Sequence, residues 1–146
     1  MSEQGVAIEE TNLEFGKPVS PSEYENDINQ MQKRILKERQ PFLPDKMSAN
    51  IAVPIIKENK NVGFGFLFLR NNYADIMYMV DPSEQGKGLG MKLVQELENV
   101  AKENKIPELH SFIVDNKPQA QKAMELAGFR IKRREEGRLL YSKTII

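Results

Sequence analysis

The chain has 146 residues, a length that suits one domain around a single core. Its 21 basic residues balance 21 acidic ones, so no global field draws it to nucleic acid or to an anionic membrane. Zero cysteines exclude a disulfide framework, thiolate metal sites and a cysteine nucleophile. The longest apolar run, Phe64 to Leu69, contains Gly65 and is far too short to span a bilayer. The acidic N-terminus offers neither the basic stretch nor the apolar core of a signal peptide, so a soluble, cytoplasmic protein is expected.

Val6 to Phe15 reads as a first strand, weakened by Glu9, Glu10 and Glu14. Ser20 is a helix cap, Pro21 suits the first helical position, and Glu23 completes a capping box. Tyr24, Ile28, Met31 and Ile35 then share one face, which predicts a helix from Pro21 to Gln40. Its other face carries Lys33, Arg34, Lys37 and Arg39, the pattern of a solvated surface. Pro41 and Pro44 end the helix and leave an irregular stretch to Asn50.

Ile51 to Lys57 and Val62 to Arg70 read as strands joined by the turn Glu58 to Asn61. Asn71-Asn72 turns the chain into a third strand, Ala74 to Val80, giving an antiparallel meander. Gly63 and Gly65 inside the second strand mark a bulge or close packing. A long helix from Gly88 to Asn104 follows, with Leu89, Leu93, Leu97, Val100 and Ala101 at helical spacing. Leu109 to Val114 is apolar enough for a central strand and, reached through a helix, should run parallel to the strand ending at Val80. Pro118 opens a shorter helix with Ala120, Ala123, Met124 and Ala127 along one side and Gly128 as its stop. Phe129 to Arg134 and Arg138 to Ile145 close the chain as a hairpin. Lys132, Arg133 and Arg134 face Glu135 and Glu136 there, as a salt-bridged edge. The lone histidine, His110, has no further ligand grouped with it, so it reads as a structural residue and no metal is expected.

Between the third strand and the long helix lies Val80-Asp81-Pro82-Ser83-Glu84-Gln85-Gly86-Lys87-Gly88-Leu89-Gly90. Pro82 ends the strand, and three glycines turn the chain straight into the helix. Such a turn aims successive backbone N–H groups at one spot beside the positive end of a helix dipole, which makes a cradle for phosphate. A Walker loop would need Ser or Thr after Lys87, where Gly88 stands, and a dinucleotide fingerprint would need Gly-x-Gly-x-x-Gly, whereas these glycines are spaced by twos. The plain alternative is a glycine-rich turn that binds nothing.

The spacing Gln85, Gly88, Gly90, preceded by Val80 and Pro82, resembles the pyrophosphate loop of the GNAT superfamily of acyl-CoA-dependent N-acyltransferases. A second segment, Ala120, Met124, Gly128 and Phe129, is similar to that family's Ala-x-x-x-Tyr-x-x-x-Gly-Phe pattern, with Met where tyrosine is usual. The resemblance implies an α/β (α+β) fold over residues 1–146 as one domain: an antiparallel N-terminal meander, a central pair of splayed parallel strands and flanking helices. It also implies acetyl-CoA as co-substrate. Its pantetheine arm would pair with the backbone at Met79 and Val80, and its pyrophosphate would rest on the amides of Gln85, Gly86, Lys87, Gly88, Leu89 and Gly90. Asn116 is the asparagine expected to help hold CoA, although it precedes Ala120 by one residue more than the family's three.

The implied reaction is N-acetylation by direct attack of a neutral primary amine on the thioester carbon. Asp75 is the candidate base on the strand leading to the loop, or an exposed strand-end charge. Tyr78 lines the acceptor site or belongs to the core. Met124 cannot donate a proton to the departing thiolate, so it either walls the pantetheine arm or fills the core. Two rival readings stand: a non-catalytic acyl-CoA-binding regulatory domain of the same fold, and a nucleotide-binding module. The acceptor is a small-molecule or peptide amine, and the resemblance leaves room for a homodimer.

Overall fold

The computed structural model describes residues 13–38 and 48–146. A short strand, β1 (Leu13–Phe15), is followed by a 3₁₀ turn (Pro21–Tyr24) and helix α1 (Glu25–Glu38). Strands β2 (Ile51–Lys57), β3 (Lys60–Leu69) and β4 (Ala74–Val80) lead into a second 3₁₀ turn (Pro82–Glu84) and helix α2 (Leu89–Glu103). Strand β5 (Glu108–Val114), helix α3 (Pro118–Leu126) and strands β6 (Arg130–Glu135) and β7 (Arg138–Thr144) complete the chain. The seven strands form one sheet in the order β1-β2-β3-β4-β5-β7-β6. Every pairing is antiparallel except β4 with β5. No described helix is long and apolar enough to cross a membrane.

The expected first strand is reduced to three residues at its C-terminal end, and its remainder, Val6 to Thr11 and Asn12, lies outside the described residues. The expected helix from Pro21 starts with a 3₁₀ turn that Ser20 caps by accepting from the Ser22 amide at 3.4 Å. Gln40 and most of the stretch that follows it lie outside the described residues. The predicted four-residue turn after β2 tightens to Glu58-Asn59. Both residues adopt positive φ (50° and 66°), the twist a two-residue hairpin prefers, and β3 therefore starts at Lys60.

Both readings of Gly63 and Gly65 hold together. Ile55 pairs with Gly63 but Ile56 with Asn61, so Val62 is the extra residue of a bulge, and its carbonyl accepts from the Asp81 amide at 2.9 Å. A Cβ on Gly65 would sit 3.0 Å from the Leu97 side chain, and one on Gly63 would sit 3.0 Å from the Met79 carbonyl oxygen. The glycines let α2 lie directly on the sheet.

The apolar spacing of α2 buries Leu89, Leu93, Val94, Leu97, Val100 and Ala101 on one face of the sheet. There Val94, Leu97, Val100 and Ala101 join Ala74 and Ile76 of β4, Leu109 of β5, Met124 of α3, and Phe129, Leu139 and Tyr141, while Leu89 and Leu93 pack with Ile55, Val62 and Val80. Ile28, Met31 and Ile35 of α1 cover the opposite face, against Phe64, Phe66, Phe68 and Met79. Alternation along β4 thus gives Ala74, Ile76 and Tyr78 to the α2 side and Met77 and Met79 to the α1 side. Beyond α1, the outer end of β5 is less covered than its apolar sequence implies. Phe112 is 39% exposed, with the Arg138 guanidinium 3.8 Å from its ring centroid. In the closing hairpin Glu135 binds Arg133 and Arg138, while Lys132 reaches across to Glu108 at 2.9 Å.

The tight seat of α2 makes a stability prediction. Gly65→Ala forces its methyl against Leu97 and should lower the unfolding free energy by about 1–3 kcal/mol, the usual cost of overpacking. For a domain of this size the melting temperature should fall by about 2–10 °C. An unchanged urea midpoint would show that the helix is not seated this closely.

Candidate functional site

Strands β4 and β5 are hydrogen-bonded neighbours only at Ala74–Leu109 and Asp75–His110. Past that point they part, although β4 stays paired with β3 all the way to Val80–Gly63. Its other edge, from Ile76 onward, is left without a strand. A groove of about 620 Å³ opens along it. One wall is Tyr78, Met79 and Val80 of β4, and another is Ala120 and Ala123 of α3 with Gln119. Ile35 of α1 reaches it from the other face, and the glycine loop with the first turn of α2 closes the end.

The loop is built from local bonds. Asp81 caps the 3₁₀ turn, accepting from the Ser83 hydroxyl at 2.6 Å, and also accepts from Arg34 Nε of α1 at 2.6 Å. Gln85 Nε2 donates to the Val80 carbonyl at 3.2 Å, which ties the loop to the end of the strand. Gly86 and Gly88 both sit at φ 81°, the left-handed region that glycine adopts without penalty. A Cβ at either position would meet nothing within 4 Å, so the space above them is open. Gly88 is the N-cap of α2 and supplies no side chain to it. The first-turn amides of a 15-residue helix therefore face the groove with the positive end of its dipole.

Gly90 has a different reason. A Cβ there would lie 2.6 Å from Cε1 of the Tyr78 ring, so the ring occupies the place a side chain would take. Burial pushes the Tyr78 phenol above its ordinary pKa. Tyr78 was expected at the acceptor wall or in the core. It lies on the α2 side of the sheet, half in the core and half in the groove, beside the loop.

Four other expected site residues are not walls of the groove. Lys87 turns to Glu84, whose Oε1 lies 3.2 Å from the Lys87 ammonium and equally 3.2 Å from that of Lys57. Burial alone would raise the Glu84 carboxyl, but hydrogen bonds from Lys57 and Lys87 outweigh it and hold the group below the ordinary carboxylate range. Asp75 sits at the closed end of the splay, ion-paired with Arg70 at 3.0 Å. Asn116 falls in the turn between β5 and α3, the consequence of its displaced spacing, and Gln119 is the polar side chain that α3 presents instead. Met124 is fully buried, in one cluster with Leu109, Phe129 and Tyr141. His110 is also structural: Nε2 lies 2.7 Å from Glu108 Oε2 and its ring stacks on Tyr73 at 4.0 Å. Among the described residues no group of three His, Cys, Asp or Glu could hold a metal.

The sequence reading missed Ile35, Glu84, Met91, Gln119, Ala120 and Ala123 as groove residues. Glu84 and Met91 flank the glycine motif by one residue each, so a wider window would have included them. Ile35 belongs to the apolar stripe of α1 and gave no separate signal.

No curated protein matches the chain by sequence. Among solved structures, it is similar to yncA from Salmonella typhimurium, a putative acetyltransferase with its cofactor acetyl-CoA. The two share a TM-score of 0.72 and 13% identity over 92% of this chain and 93% of that one. It is also similar to the paia N-acetyltransferase of Thermoplasma acidophilum in complex with coenzyme A, with TM-score 0.73, 15% identity, and coverage of 90% and 98%. The ribosomal-protein-S18-alanine N-acetyltransferase of Escherichia coli gives TM-score 0.68 and 14% identity over 91% and 94%. At such identities the likeness speaks for the fold. The sequence itself matches the acetyltransferase (GNAT) family over residues 9–129. That span holds the meander, the glycine loop and both helices beyond it, and by it the chain belongs to the GNAT family of acetyltransferases.

Proposed function

We propose that this protein transfers the acetyl group of acetyl-CoA to a primary amine by direct attack. The observation that carries the reading is the open edge of β4, running into uncapped helix N-terminal amides at the end of one groove. An extended pantetheine arm fits the edge of a strand, and Val80, Leu89, Ala120 and Ala123 supply apolar walls for it. A diphosphate fits the loop, where Gly86 and Gly88 put no side chain between anion and backbone. In the reaction the amine nitrogen bonds to the acyl carbon, the carbon–sulfur bond breaks, and the amine proton leaves while the thiolate gains one from solvent.

No titratable group on the groove wall is suited to take that proton. Among the described residues these are Glu84, clamped by two lysines, and Tyr78, whose pKa is raised. Asp75 remains the candidate on β4, but Arg70 engages it at the closed end of the splay. The acceptor's own ionisation should then set the rate. For an amine with a pKa near ~10, kcat/KM should climb about tenfold per pH unit from pH 6 to 9, and Asp75→Asn should leave that slope intact. A plateau near neutral pH that Asp75→Asn removes would assign the base to Asp75 instead.

Loss of the family tyrosine to buried Met124 favours the regulatory reading as the second one. A screen of amine acceptors, read by release of free CoA thiol, separates the two, since a cysteine-free protein adds no background. Release with one acceptor supports the enzyme; tight binding without release for any acceptor supports the regulator.

Acetyl-CoA at a hundred times its Kd should stabilise the fold by about 2.7 kcal/mol and raise the melting temperature by roughly 2–8 °C, with no shift from ATP or NAD. Gly88→Val places a β-branched residue at φ 81° and projects it into the open space over the cradle. It should weaken CoA binding by at least about tenfold, with a melting curve that still shows a folded domain. Normal binding by that variant would take the phosphate away from this loop.

A further inference from the structure

Tyr78 carries a hydroxyl that the core does not need. Its neighbours on the same side of β4 are Ala74 and Ile76, so an apolar side chain would serve the packing equally. The ring instead extends to the first turn of α2, where its oxygen lies 3.2 Å from the place a Gly90 Cβ would occupy. Among the described residues no hydrogen bond reaches this hydroxyl, and burial disfavours its ionised form. The ring lines the open groove, so this donor is free for solvent or a ligand, and an anion seated there would take it as a hydrogen-bond partner. Glycine at position 90 is what gives the ring room. The arrangement combines backbone amides, a helix dipole and one neutral O–H donor at a single end of the groove.

From this geometry we infer that Tyr78 is a cofactor-binding residue whose hydroxyl donates a hydrogen bond to the diphosphate of CoA at the N-terminus of α2. This rests on the acyl-CoA reading above and adds to it a side-chain donor beside the amides. A neutral phenol suits the position: it donates to an anion without bringing the charge that Lys87 would, and Lys87 is committed to Glu84. The alternative role for a tyrosine near the groove is to protonate the departing thiolate. That role would require the hydroxyl at the sulfur end of the arm, whereas it sits beside the first turn of α2, where the proposed function puts the diphosphate.

The test compares Kd values for CoA and for pantetheine, which lacks the diphosphate, in the native protein, Tyr78→Phe and Gly90→Ala. Tyr78→Phe keeps the ring and removes only the donor. It should weaken CoA binding by about 10- to 100-fold, as expected for a hydrogen bond to a charged group, and leave the pantetheine Kd in place. Gly90→Ala should produce a similar loss by pushing the ring aside. In that background Tyr78→Phe should add little, because the two changes act on one contact. Equal CoA affinity in native protein and Tyr78→Phe overturns the inference while leaving the acyl-CoA reading in place. So does a drop in kcat with an altered pH profile and unchanged Kd, which assigns Tyr78 to the thiolate. A loss that is equal for CoA and pantetheine overturns it as well, since it marks the change as structural. If the native protein binds neither compound, the acyl-CoA reading itself falls and this inference falls with it.

Discussion

Two parallel strands that stop pairing after two positions are the constraint on which this molecule's site depends. An unpaired strand edge inside a sheet is costly, because its backbone donors and acceptors have lost their partners. Here the parting of β4 from β5 is imposed from both sides. β4 is held by its full antiparallel ladder to β3, and β5 by an equally long ladder to β7. Neither strand can close the gap without giving up the other ladder. The groove is therefore a permanent feature of the topology, and a ligand with its own amides would complete the sheet.

The second constraint is the seat of α2. Gly63 and Gly65 on β3 admit the helix to van der Waals contact, and Leu93 and Leu97 fill the space above them. That contact fixes the height of the helix N-terminus relative to the end of β4. The connecting loop is braced independently by Arg34 on Asp81, Lys57 on Glu84 and Gln85 on the Val80 carbonyl. Those partners come from α1, β2 and β4, so three elements converge on one loop. Preorganisation of this kind lets left-handed Gly86 and Gly88 hold their conformation before an anion arrives.

Much of the architecture was legible because it rests on local rules. Pro82 and the glycines after it announced a strand-to-helix turn, the apolar spacing of α2 announced its buried face, and Gly128 at φ 94° stopped α3 as a glycine should. The parallel placement of β5 followed from its helical crossover. What local rules could not supply was the direction of side chains near the site. Tyr78 and Met79 are adjacent, and a one-residue difference sends them to opposite faces of the sheet. Lys87 sits within the phosphate motif, yet Glu84 three residues earlier captures it. Met124 matches a family position in sequence but is drawn into the core by Phe129 and Tyr141, partners distant from one another in the chain. Spacing pointed to the end of β4 and the start of α2; only packing told which side chains line the groove between them.

The claim that the parted strands and the helix terminus form one binding surface can be tested amide by amide. Hydrogen exchange of the backbone, followed by NMR with and without saturating CoA, reads both parts of that surface at once. Protection should increase together at Tyr78 and Val80, whose amides face the open edge of β4, and at Leu89 to Met91 in the first turn of α2. Protection confined to the β2–β3 hairpin around Lys57 and Lys60, or absent from either segment, would contradict the account.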